Sequence, residues 1–120
     1  MRRTSVLLAA FLASAAPALA QDAVKVAPKH YSVVFENDQV RVLRVTVAPG
    51  EKTPMHEHPA NVVIPLTDAA VRFTLPDGQT QEPKMTAGTP VWSPEGKHAG
   101  ENVSKTKVEA IIVELKGKKQ

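Results

Sequence analysis

The sequence predicts an all-β domain, a sandwich or barrel of about eight or nine short strands, and three observations predict it. Short runs rich in β-branched and aromatic residues recur along the chain. Clusters of Gly, Pro, Asn and Asp separate those runs. Beyond the first twenty residues no stretch shows the periodicity of an amphipathic helix.

The elements follow in chain order. Residues 1–20 read as a cleavable signal peptide: MRR supplies a positive start, VLLAAFLASAAPA a short apolar run, and Ala18-Leu19-Ala20 the small residues of a cleavage site before Gln21. The run falls short of the ~20 residues a spanning helix needs. Cleavage would leave residues 21–120 as one β-barrel domain, its core at about 34–115, periplasmic or secreted and without stable membrane insertion. A retained N-terminal anchor is the alternative. Residues 21–29, QDAVKVAPK, read as a loose leader or a first edge strand. YSVVFEN is a strand closed by Asn37 and Asp38. In VRVLRVTVA the apolar parity slips, from Val40 and Val42 to Leu43, Val45 and Val47, as a bulge near Leu43 would cause. VVIPL carries Pro65, the mark of an edge or a bend. Val71, Phe73 and Leu75 alternate with Arg72 and Thr74 as a half-buried strand. Pro76-Asp77-Gly78 turns the chain, QTQEPKM returns as an exposed strand, and Pro90 to Trp92 form a short one. The last strand is Val108 to Leu115, with Glu109 and Glu114 bracketing its apolar run.

Charge and cysteine content exclude several classes. The chain has 120 residues and a formal charge of +3. Without Arg2 and Arg3 its 15 basic residues become 13, against 12 acidic ones. No basic stripe interleaves with aromatics, so no nucleic-acid partner is expected. There are no cysteines. Disulfides and thiolate metal sites are therefore impossible, and any metal must be held by nitrogen and oxygen.

Two of the four histidines stand in GEKTPMHEHP, residues 50–59. On a strand His56 and His58 point to one face and Glu57 to the other, so both imidazoles can reach one ion. A bare His-x-His is weak by itself. A second frame lies downstream in GTPVWSPEGKHAGEN, with Gly88, Pro94, Gly96, His98 and Asn102.

With these two motifs the chain resembles the cupin superfamily from about Val34 to Leu115. That family's first motif runs glycine, five residues, His-x-His. Its second runs glycine, five residues, Pro-x-Gly, a short gap, His, three residues, Asn. The resemblance implies a single cupin-type jelly-roll β-barrel, with His56, His58 and His98 as the ligands of a divalent metal. Iron, manganese, zinc, nickel and copper are not distinguished. Gly50, Gly88, Pro94 and Gly96 map onto turn positions, and Asn102 onto a backbone-capping residue. The family's glutamate, expected at 62 or 63, is replaced by Val62 and Val63. One residue rather than two separates Gly96 from His98.

Three neutral imidazoles leave an ion its full charge and open positions. That favours a small anionic or chelating ligand, and thiol dioxygenases show that three histidines can suffice for chemistry in this superfamily. Two readings stay open beside a metal-dependent enzyme: a non-catalytic module that binds a metal or small ligand, and a metal-free degenerate barrel. Asn61 could lend an oxygen; Glu57 is expected to face away. His30 is expected at the surface, Met55 opposite His56, and Val63, Phe73 and Trp92 as core or pocket wall. Pairing of edge strands would make a homodimer, for which the sequence carries no direct sign.

Overall fold

The computed structural model describes residues 21–117, which are all-β apart from one helical turn. The expected signal peptide, residues 1–20, lies outside the described residues, as do residues 118–120. Ten strands follow in order: β1 Tyr31–Glu36, β2 Val40–Val47, β3 Lys52–His58, β4 Asn61–Pro65, β5 Ala69–Thr74, β6 Thr80–Gln81, β7 Lys84–Met85, β8 Val91–Ser93, β9 Gly96–Asn102 and β10 Val108–Leu115. They form two antiparallel sheets. One has the order β1-β2-β10-β4-β8; the other has β3-β9-β5-β6, with β7 also paired to β5.

Alternation on the two long central strands builds the core. Leu43, Val45 and Val47 of β2 face inward, as do Val108, Ala110 and Ile112 of β10. Val71 of β5 and Tyr31 of β1 join them. Burying a Leu or Ile side chain stabilises by about 1.5–3 kcal/mol each, so this inner face carries much of the fold. The parity slip expected in β2 is not there: β2 pairs with β10 in unbroken register, so Arg41, Leu43, Val45 and Val47 share one face and Val40 and Val42 the other. The bulge near Leu43 lies on the partner strand, where Val33 pairs with Leu43 and Phe35 with Val42, leaving Val34 as the extra residue on β1.

Two of the remaining expectations need correction, those for residues 21–29 and for Gly96. Residues 21–29 are neither a loose leader nor a strand: α1, Ala23–Val26, is a single helical turn whose Ala23 is fully buried. Four residues are too few to show helical periodicity. Of the edge or bend expected at Pro65, the bend forms: β4 ends at Pro65 and the chain bends at Leu66 and Thr67, while β4 itself lies between β10 and β8. Gly96 is the first residue of β9 and not a turn. Gly50 and Gly88 are turn residues as expected, each at φ +78°, where a side chain would be strained.

Candidate metal centre

The second sheet assembles the three histidines. His56 and His58 project from β3 two residues apart, and His98 lies directly across from His56 on β9. The β3–β9 pairing shifts register between Thr53 and His56. That irregularity explains how Thr53 and His56, of opposite parity, are both buried. One ring nitrogen from each histidine lies within 4.8 Å of the other two. The His56 ring meets those of His58 and His98 edge-on, with centroids 4.8 and 4.7 Å away.

Each ring is oriented differently. His56 Nδ1 donates to the Pro54 carbonyl at 2.7 Å, which leaves Nε2 for the centre. His58 Nδ1 donates to Glu114 Oε2 at 2.7 Å, which likewise frees its Nε2. His98 stacks on Phe73, with centroids 4.2 Å apart and planes at 23°. Tyr31 donates its hydroxyl to His56 Nε2 at 3.1 Å and so caps that lone pair.

Burial, partly offset by the Pro54 carbonyl, lowers His56 to about 4; burial and the two neighbouring imidazoles lower His98 to about 3. These two rings are therefore neutral at pH 7, the state a metal requires. Metal–nitrogen bonds of about 2.0–2.1 Å place ligand nitrogens no more than about 4.2 Å apart. The spread of up to 4.8 Å exceeds that spacing, so the rings would have to draw together to hold one ion. The donor set, its protonation and its oriented outer nitrogens fit a mononuclear ion.

Sequence reasoning missed the groups behind the triad. Glu114 is 1% exposed and accepts from two sides, His58 on Oε2 and Arg41 Nε on Oε1 at 2.8 Å. Arg41 also pairs with Asp22, just before α1. Burial pushes the Asp22 carboxyl up, but Arg41, with the backbone amides of Lys25 and Val24, more than offsets it and holds the group below its ordinary value. A chain of charged groups, Asp22–Arg41–Glu114, thus ends on the His58 ring. Parity was the available signal: Glu114 shares the inward face of Val108, Ala110 and Ile112, and Arg41 that of Leu43, Val45 and Val47.

The remaining expectations divide. Asn102 is the expected cap: its amide donates to the Val47 and Thr106 carbonyls and accepts from Ser104. Asn61 lines the pocket, but its Nδ2 donates to the Pro59 carbonyl. Glu57 faces away from the triad and pairs with Lys97 at 3.8 Å. Met55 is half-buried and outside the triad. His30 donates to the Thr46 carbonyl, so it is half-buried and tied down rather than a free surface group. Val63 and Phe73 are pocket wall as expected. Trp92 borders the pocket on β8, the edge strand of its sheet, but is 59% exposed and not core; it pairs with Val62 rather than Val63, so its side chain takes the outer face.

No protein-family model matches the chain, and no curated protein matches it either. Solved structures do. A cupin domain from Bordetella pertussis Tohama I shares 29% identity and a TM-score of 0.67, the match covering 72% of this chain and 92% of that one. The chain belongs to the cupin superfamily. An RmlC-like cupin with a double-stranded β-helix fold from Methanocaldococcus jannaschii is 20% identical, with a TM-score of 0.56 over 71% of this cupin and 77% of that chain. A conserved protein with a double-stranded β-helix domain from Klebsiella pneumoniae is 22% identical, with a TM-score of 0.59 over 72% and 76%. At those identities the last two share the fold alone. In this cupin, as in the superfamily, three histidines are positioned to bind a metal.

Proposed function

We propose that this protein is an exported cupin that holds one divalent metal through His56, His58 and His98 and presents it to a small anionic ligand. One observation carries the reading: a nitrogen from each of three histidines converges within 4.8 Å, with the outer nitrogens of His56 and His58 already engaged. The leader pattern of residues 1–20 supports export.

A bound ion would supply a Lewis-acid centre with open positions. The chain's own residues set how it is presented. Glu114 fixes the tautomer and the orientation of the His58 ring. Val63 leaves the inward position of β4 apolar, beside Ile112 of β10, so no carboxylate from that strand competes with an incoming anion. Tyr31, protonated because burial raises its phenol, places a hydroxyl within reach of the first contact between ligand and centre.

The test is elemental analysis of untagged protein purified from its own periplasm, beside the His56→Ala/His98→Ala double variant. About one equivalent of a single metal, lost in the variant, is expected. Absence of metal in the wild type, both as isolated and after reconstitution, overturns the reading. A turnover screen chosen by the ion found, oxygenase for iron or lyase, isomerase and hydrolase for zinc or manganese, separates an enzyme from a binding module.

A further inference from the structure

The pocket in front of the triad has a volume of about 330 Å³ and is lined by His58 and His98. Valines and Ile112 supply much of its remaining wall. Two uncommitted polar side chains enter that wall side by side, close to the triad. Asn61 of β4 and Ser93 of β8 stand opposite one another in register, and both line the pocket. On its other side Asn61 stands opposite Glu114 of β10, whose carboxylate holds His58. Opposed residues on one sheet face lie about 4.5–5.5 Å apart at Cβ. The row Ser93–Asn61–Glu114 therefore sets two neutral polar groups beside the group that orients a ligating ring.

Asn61 is 2% exposed, and its amide has one orientation. Nδ2 donates to the Pro59 carbonyl at 2.9 Å; a flipped amide would set oxygen against oxygen. Oδ1 is left without a partner among the described residues. Every side-chain nitrogen or oxygen that they seal from solvent does have one, so Oδ1 is not sealed, and the space that Asn61 borders is the pocket. The hydroxyl of half-buried Ser93 makes no side-chain hydrogen bond among the described residues either. Other polar groups of the lining differ. Thr53 Oγ1 accepts from the Gly100 amide, Asn102 is spent on Val47, Thr106 and Ser104, and Glu101 is held by Arg72 at 3.7 Å. Gln81 and Lys84 are exposed, on the short strands that pair with β5.

An acceptor held in one orientation gains from an O–H or N–H donor and repels a second anionic oxygen. A bare carboxylate at the centre would leave Asn61 Oδ1 unpaired. A ligand with a hydroxyl on the carbon next to its anionic head would pair it, and the hydroxyl's lone pairs would be open to the Ser93 O–H. We infer that Asn61 and Ser93 form a specificity subsite beside the histidine centre, and that the ligand is a small hydroxylated acid whose hydroxyl donates to Asn61 Oδ1. The inference rests on the metal reading above and names what the ligand carries beside its head.

The experiment uses zinc-loaded protein of measured zinc content and two probes with one chelating head, acetohydroxamate and glycolohydroxamate. They differ by a single hydroxyl on the carbon beside that head. Calorimetry gives each affinity, and the same pair measured on free zinc divides out any intrinsic preference. Glycolohydroxamate should bind the protein about two- to tenfold more tightly, the range of one neutral hydrogen bond. Asn61→Ala should abolish that preference while still binding acetohydroxamate, and Ser93→Ala should reduce it. Equal affinities in the wild type overturn the hydroxyl subsite, as does no binding of either probe to protein that retains its zinc. So does a preference that survives Asn61→Ala or, should circular dichroism show that variant unfolded, one that survives Ser93→Ala. All of these leave the metal reading standing. Failure of the wild type to retain zinc overturns both.

Discussion

Replacing Glu114 with Gln tests the charge chain behind the site. The substitution keeps the shape and removes one acceptor. The carboxylate accepts from His58 Nδ1 at 2.7 Å and from Arg41 Nε at 2.8 Å, on different oxygens. An amide has one oxygen, so one of its two faces must set N–H against N–H. If the oxygen stays on His58, Arg41 loses a partner and keeps only Asp22. If it turns to Arg41, His58 loses the acceptor that fixes its tautomer. Breaking a buried pair on one side costs about 3–5 kcal/mol. Because Asp22 still serves Arg41, the lower end applies, about 3 kcal/mol, which for a domain near 100 residues lowers Tm by more than about ten degrees. Loss of an outer partner of a ligating histidine weakens metal binding by about 10- to 100-fold. Melting of chelator-treated protein by circular dichroism measures the first effect, and zinc competition against a chelating dye the second. A variant that melts within about two degrees of wild type and binds zinc within about twofold would refute the reasoning: Glu114 would then be a buried passenger rather than the group that orients His58.

Two further outcomes follow from the same geometry. Tyr31→Phe removes the hydroxyl that caps His56 Nε2. A hydrogen bond that metal must displace is worth about 0.5–1.5 kcal/mol, so the variant should bind zinc about two- to tenfold more tightly in the same dye competition. Equal or weaker binding would mean that the hydroxyl supports the centre rather than competing with it. The metal-free wild type should also lose stability in mild acid. Its His56 and His98 titrate at about 4 and 3, against about 6.5 when unfolded. Between those values the unfolded chain takes up protons that the folded chain refuses. Stability is therefore complete above about 6.5 and falls as pH drops toward 4 and then 3. By pH 5 the loss should reach about 2–4 kcal/mol, shared about equally between the two rings, since both titrate in the folded chain at values a unit or more below that pH. A Tm that stays level between pH 7.5 and 5 in chelator would show that these rings are not held neutral.

Much of the fold was legible because strand alternation is a local property. The inward faces of β2 and β10 can be read as Leu43, Val45, Val47 and Val108, Ala110, Ile112 without any knowledge of pairing. The same parity extends to Arg41 and Glu114. Both were passed over because a charge at the end of an apolar run reads as its solvated boundary. Only the register, with Arg41 opposite Glu114 and Asn61 on its other side, shows that the two charges meet in the interior. The triad was legible from His-x-His and its downstream frame, because two of its members share one strand face. Tyr31 was not, because its place beside His56 depends on how β1 of one sheet lies against β3 of the other. Asp22 was hidden for a similar reason. Its segment is fixed by contacts far away in sequence: Arg41, and the Glu57 amide donating to the Gln21 carbonyl at 2.8 Å.

The glutamate absent at 62 or 63 and the glutamate found at 114 bear on one question of charge. A carboxylate ligand from β4 would have neutralised part of the ion and filled a position beside it. Glu114 comes from the next strand and reaches the site through the outer nitrogen of His58. Asp22, Arg41 and Glu114 together carry one net negative charge, placed behind the ligand shell. Such a charge still favours a cation at the centre, with less screening than at the surface. It occupies no coordination position and adds no anion to the pocket side. The pocket side keeps His58, His98, the Asn61 amide and apolar wall. A site of this kind retains its ion by charge from behind and selects its ligand in front by shape and by the ligand's own negative head.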